Sequence, residues 1–123
     1  MQKTILILAG ILGASAVGIG AFGAHALKNV LEKTGKAEVF ETGVKYHFWH
    51  VLALLAIALL MEKISSTFLQ YSAWSFISGI LIFSGSLYVL SITGYSKLGA
   101  ITPIGGLAFI LGWVFLVLAV IKS

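Results

Sequence analysis

Between Lys3 and Lys28 the chain carries no formal charge, and its side chains are almost all apolar or small. A second such run extends from about Tyr46 to Met61, a third from about Phe68 to Thr93, and a fourth from Leu98 to Ile121. A helix rises 1.5 Å per residue, so about 20 residues cross the hydrocarbon core of a bilayer. Runs one, three and four reach that length. The second reaches it only by recruiting residues between Thr42 and Lys45, which sets its histidines inside the membrane. Lipid offers no hydrogen bonds to a peptide group, and helices satisfy theirs internally. A membrane barrel would alternate polar and apolar residues in about ten-residue segments, and "ILILAGILG" and "VLALLAIALLM" do not. The pattern predicts an all-α membrane protein, a single four-span domain over residues 1–123. Its helices lie at about 4–27, 44–61, 68–93 and 98–121, in an antiparallel bundle.

The charges are too few for any other class. Only 10% of the 123 residues are charged, eight Lys and four Glu, against about a quarter in soluble domains. The chain has no Cys, which excludes disulfides, thiolate chemistry and Cys-based metal sites. A net charge of +4 does not point to nucleic acid. The Lys residues stand at the ends of apolar runs, where anionic lipid head groups are the simpler partners, and no basic stripe tracks a phosphate backbone. "AHA" at 24 to 26 resembles a leader cleavage site. The run before it is long and holds Gly10, Gly13, Gly18, Gly20 and Gly23, so a retained span is expected.

The connections "EKISSTFLQ" and "TGYSKLG" are short and predict antiparallel neighbours. The long connection, residues 28 to 45, holds seven of the twelve charges. Leu27, Val30 and Leu31 share one helical face there, and Gly35 suits a left-handed helix end. Glu41 and Lys45 are spaced as a favourable i,i+4 pair. This reads as an amphipathic segment on the membrane surface; a solvated loop is the plainer alternative. Four spans put both termini on one side, with Lys3, Lys63 and Lys122. The other side carries Lys28, Lys33, Lys36, Lys45 and Lys97. Lys favours the cytoplasm, so a multi-pass plasma (inner) membrane protein with both termini outside the cytoplasm is expected.

Small residues and hydrogen bonds join helices in lipid. At 100° per residue, Gly10, Ala14, Gly18, Ala21 and His25 share one side of the first span. Ser75, Gly79, Ser86 and Thr93 form a stripe on the third, and Gly105, Ala108 and Gly112 on the fourth. Helix packing is therefore expected at Gly10, Ala14, Gly18, Gly79, Ser86, Gly105 and Gly112. Part of this surface would build a homo-oligomer, since so short a chain has little interior.

The residues that could carry chemistry gather at one end of the spans. In "YHFWH", His47 and His50 diverge by about 60° on the helix. His25 lies near the same membrane boundary, and Tyr95, Lys97 and Thr102 belong to that side. The expected intramembrane polar cluster is His25, His50 and Tyr88, and the interfacial residues are Glu41, Lys45, His47 and Thr102. Ionisable groups within a membrane are functional candidates by default. The imidazoles have three readings: hydrogen bonding across helices, a proton or small-solute path, or a metal. The first is preferred, because i,i+3 is poorer than the i,i+4 spacing of helical metal pairs; no metal or cofactor is expected. No carboxylate lies near a midplane, which argues against a carboxylate-driven pump. Pro103, in "ITPIGG", suits an early helical position. Trp49, Trp74 and Trp113 fit aromatic belts. "GIGAFGAH" follows no strand, so it is not a dinucleotide loop.

"GAFGAHAL", "ETGVKYHFWHVLALL", "FSGSLYVLSITG" and "LGAITPIGGLAFILGW" resemble the YgdD/YwdK family of small bacterial membrane proteins. That family is domain of unknown function 423, with eukaryotic relatives called transmembrane protein 256. The resemblance runs in order over almost the whole chain. It implies that His25 and His50 match family His positions and that Glu41 matches a Glu. His47 stands where the family often has Gln, and Lys replaces Arg in the first loop. It implies a four-span plasma-membrane protein and no established reaction. The expected function is that of an integral membrane protein of unknown molecular activity. It is read as a non-enzymatic structural, lipid-interacting or assembly component, with membrane lipids and further copies of itself as partners and no protein partner identified. The alternative is a small-solute or proton transporter or channel formed by an oligomer.

Overall fold

The computed structural model describes residues 1–123, and the chain is helical almost throughout, without strands. Four helices are long and apolar enough to cross a membrane: α1 (Gln2–Ala26), α3 (Ala37–Leu60), α4 (Thr67–Thr93) and α5 (Ser96–Ile121). A short helix, α2 (Lys28–Thr34), stands between the first two. Three spans lie within a few residues of the expected limits. The second does not: it begins at Ala37, seven residues before the expected 44. Residues 37–45 are the first turns of α3 and not a surface strip, because Phe40 and Gly43 on this stretch are buried. The Phe40 ring stands 5.6 Å from that of Tyr88, and that burial outweighs the nearby charges, which point outward.

The amphipathic segment is thus confined to α2. Leu31 is buried while Lys28, Glu32 and Lys33 are exposed. Its end is set by Gly35, at φ 69°, a left-handed conformation that residues with a Cβ rarely adopt. The Gly35 N–H closes on the Leu31 carbonyl at 2.9 Å. Thr34 ties α2 to the end of α4 by donating to the Ser91 carbonyl at 2.7 Å. Helix α4 starts at Ser66, whose side chain accepts from the Phe68 N–H, a standard N-cap. Thr102 opens the regular part of α5, with Pro103 in its first turn, where a missing N–H leaves no gap.

Consecutive spans are antiparallel. Helix α3 packs between α1 and α4, and α5 packs along α4. The α4–α5 seam is built from glycines that each receive a phenylalanine of the other helix. A Cβ on Gly79 would strike the Phe109 ring, one on Gly112 would stand 2.5 Å from the Phe76 ring, and one on Gly105 would run into the Phe83 backbone. Close backbone approach of this kind is the main attraction available to helices in lipid. Ser72 on α4 adds a bond to the Gly112 carbonyl at 2.7 Å, and Ser86 pairs with Thr102 at 2.6 Å.

Helix α1 departs from the expected packing. Gly10 and Ala14 are exposed, and nothing lies within 4 Å of a Cβ built on Gly10 or Gly18. The face that meets α3 carries Ile5, Ala9 and Ala16, with Gly13 against Val51 and Gly20 against Val44. Two small-residue faces lie more than a third of a turn apart on this helix, and the other one faces the bundle. Both α1 and α4 contain a wider π-helical turn, at Gly18–Gly23 and Ile80–Ser84.

The seam and the free face differ in tolerance. Gly105→Ala is expected to destabilise by about 1–3 kcal/mol through overpacking against backbone. Gly10→Ala is expected to be neutral or slightly stabilising, since Ala is the better helix former. Thermal melting of both variants in mild detergent checks this; equal melting points would contradict the seam.

Candidate intramembrane polar site

Helix α3 sends its two histidines in different directions. The 60° between them carries His47 toward α1 and Tyr88, and His50 toward the Phe76, Phe109 and Trp113 rings of α4 and α5. Both are buried, at 3% and 6% exposure.

The partners determine the tautomer of each ring. His47 Nε2 lies 2.9 Å from the Leu12 carbonyl. A carbonyl only accepts, so Nε2 carries the hydrogen. Nδ1 is then bare and accepts from the Tyr88 hydroxyl at 2.8 Å. Ser15 stands 3.4 Å from Nε2 and donates to the same Leu12 carbonyl at 2.8 Å. His50 is the reverse case. Its Nδ1–H donates to the Tyr46 carbonyl one turn back, at 2.8 Å. Its Nε2 accepts from the Trp113 indole N–H at 3.2 Å. The His50 ring stacks on Phe109 with centroids 3.7 Å apart and planes 12° apart. Each imidazole therefore has one donor and one acceptor nitrogen, and both are used.

The expected trio of His25, His50 and Tyr88 does not form. Tyr88 bonds His47, His50 bonds Trp113, and His25 is exposed at the end of α1. The physical reason is the outward turn of the Gly10–Ala14 face of α1, which takes His25 away from α3. His47, expected at the interface, is instead the most connected polar side chain of the interior. Thr102, also expected there, is half-buried and pairs with Ser86, while Glu41 and Lys45 are exposed on α3. No three His or Glu side chains gather as they would around a metal ion.

Several participants escaped the sequence reading. Trp113 was assigned to an aromatic belt, yet its N–H is the partner of His50. Ser15 and the Leu12 carbonyl carry no sequence signal beyond a serine in an apolar run. Ser84 donates to the Gly43 carbonyl at 2.7 Å. Its partner lies 41 residues away in the sequence. No buried side-chain nitrogen or oxygen lacks a partner.

Four apolar helices with polar groups consumed between them define a polytopic helical membrane protein. Residues 19–106 match the family described as Protein of unknown function (DUF423), and the chain belongs to that family. It is 46% identical to the UPF0382 membrane protein YwdK of Bacillus subtilis, over 98% of each chain. It is 42% identical to a UPF0382 membrane protein of Staphylococcus saprophyticus, over 98% of this chain and 99% of that one. With the UPF0382 inner membrane protein YgdD of Escherichia coli it shares 35% identity, over 98% of this chain and 92% of the relative. No solved structure matches. The molecular activity of the family is unknown.

The His47 bonds set a graded expectation. His47→Leu strands the Tyr88 hydroxyl and should cost about 1–2 kcal/mol, the upper range for bonds between membrane helices. His47→Gln keeps a donor and an acceptor on one side chain and should cost less than half as much. Unfolding by denaturing detergent, followed by circular dichroism, orders the two; a Gln variant as weak as the Leu variant would show that the ring itself is required.

Proposed function

We propose that the protein is a non-enzymatic assembly component of the plasma membrane that associates with further copies of itself. The observation that carries this reading is the use of the polar interior. His47, His50, Ser72, Ser84, Ser86 and Ser91 are the buried polar side chains, and each is spent on a hydrogen bond. All but Ser91 bond to residues of another span, and Ser91 bonds within α4. Such an interior fixes helices against one another.

The self-association surface is the outward face of α1. Gly10 and Ala14 are exposed there and Gly10 has open space above it, while α1 leans on α3 alone among the long helices. A second copy presenting the same glycines would allow the close backbone contact that lipid tails cannot supply, and a two-fold pair uses one patch twice. Lys28, Lys33, Lys36, Lys45 and Lys97 sit on the α2 side, which is assigned to the cytoplasm by the positive-inside bias.

The absence of native Cys allows a direct test in membranes. Gly10→Cys and Ala14→Cys are expected to form disulfide-linked dimers on mild oxidation, and Val117→Cys, exposed on α5, is not. Equal cross-linking at all three, or none, would overturn the assembly surface. Ser123→Cys should react with an impermeant maleimide in intact cells; labelling only after lysis would invert the orientation. Proteoliposomes should pass neither protons nor common monovalent ions. A flux abolished by His50→Ala would replace this reading with a transport function.

A further inference from the structure

A cleft of about 580 Å³ opens between α3 and α5 with Phe83 of α4 at its back. It runs along α5 from Pro103, in the first turn, to Trp113 near the middle of the span, about 15 Å at 1.5 Å per residue. Three properties bear on what it holds. Its walls are aromatic: Tyr46, Phe83, Phe109 and Trp113 line it together with His50. Its upper wall is bare where Gly106 has no side chain, and a Cβ there would meet nothing closer than 3.9 Å. The third property is chemical. Among the polar side chains of the cleft, His50 and Trp113 are satisfied by each other and by the Tyr46 carbonyl. The Tyr46 hydroxyl, unlike that of Tyr88, makes no hydrogen bond within the chain, while its ring is held by Phe83 at 4.7 Å and Trp49 at 5.3 Å.

The geometry points to a binding site for a lipid-soluble quinone: a planar conjugated ring bearing two carbonyls on an apolar tail. Flat rings gain from offset or edge-on contact with aromatic walls, a gain that flexible acyl chains do not share. A hydroxyl facing hydrocarbon lacks the partner it would have in water. A ring carbonyl supplies that acceptor without introducing a charge. The Trp113 N–H is already spent on His50, so the Tyr46 hydroxyl is the donor the cleft offers to a ring carbonyl, while the tail leaves through the lateral opening into lipid. Phospholipid tails meet the lateral opening but leave that hydroxyl without an acceptor. The site concerns binding alone and is independent of the α1 assembly surface.

The test uses the full chain in nanodiscs, with Trp49→Phe and Trp74→Phe so that Trp113 is the sole indole. Both replaced residues are exposed. Titration with decylubiquinone is expected to quench Trp113 saturably. Tyr46→Phe, which keeps the aromatic wall, should weaken the midpoint about tenfold, in line with one lost hydrogen bond. Gly106→Leu, which fills the cleft against the Phe83 ring, should remove saturation while the variant keeps its helical circular dichroism spectrum. Oleate should not compete. Quenching that is linear and identical in all variants would mean collision in the bilayer and overturn the site. Saturable quenching displaced equally by oleate, or unchanged in Tyr46→Phe, would make the cleft an acyl-chain groove and overturn the quinone assignment.

Discussion

The interior of a bilayer holds no water to complete a hydrogen bond, and the fold follows from that deficit. Every polar group inside the spans must be answered by another part of the chain. The two histidines of α3 show how strict the demand is. An imidazole with one proton has one donor and one acceptor, and each needs the opposite kind of partner. His47 finds a carbonyl and a hydroxyl, and His50 a carbonyl and an indole. Three of these bonds tie α3 to α1, α4 and α5, and the fourth holds the His50 ring to its own helix, so the middle helix is fixed both in rotation and in depth. Apolar packing alone would leave it freer to turn, because lipid tails are as good a neighbour for Leu and Ile as another helix.

The second element of cohesion is shape. On the α4–α5 seam the glycines and phenylalanines alternate between partners, so neither helix can slide without driving a ring into backbone. The α1–α3 contact has wider clearances, with Gly13 and Gly20 against valines and Gly23 against the Phe40 ring. The chain is therefore graded, firm around α4 and less so toward α1.

Much of this was legible in the sequence for reasons that can be named. Runs without charge set the number of spans, because a membrane admits few other solutions. Gly35 and Pro103 marked helix boundaries through backbone geometry that only their residue types suit. The seam glycines Gly79, Gly105 and Gly112 were recognisable as small residues at helical spacing. What failed was rotation. Helix α1 carries two small-residue faces, and nothing in one sequence says which meets the neighbour. Choosing the face that ends in His25 produced a trio that the structure does not contain. His47 looks interfacial in the sequence because His50 lies deeper in the apolar run, but the helix starts ten residues before His47 and the 60° offset turns it inward. Trp113 and Ser15 were opaque for a different reason: their partners are distant in sequence, and a donor alone does not name its acceptor.

The π turn at Gly18–Gly23 bears on how such a chain tolerates change in length. A π turn closes its hydrogen bonds over five residues where an α turn uses four, so it accommodates one additional residue without lengthening the rod by a full step. Upstream of it Gly13 packs against Val51 of α3, and within it Gly20 meets Val44 and Gly23 meets Phe40. Three glycines in that turn leave the backbone free to take up or release a residue. The segment is thus a slack link: a single-residue insertion or deletion there could be absorbed as a change of winding, with both ends of α1 staying on their partners. The same edit within the α4–α5 seam has no comparable place to go.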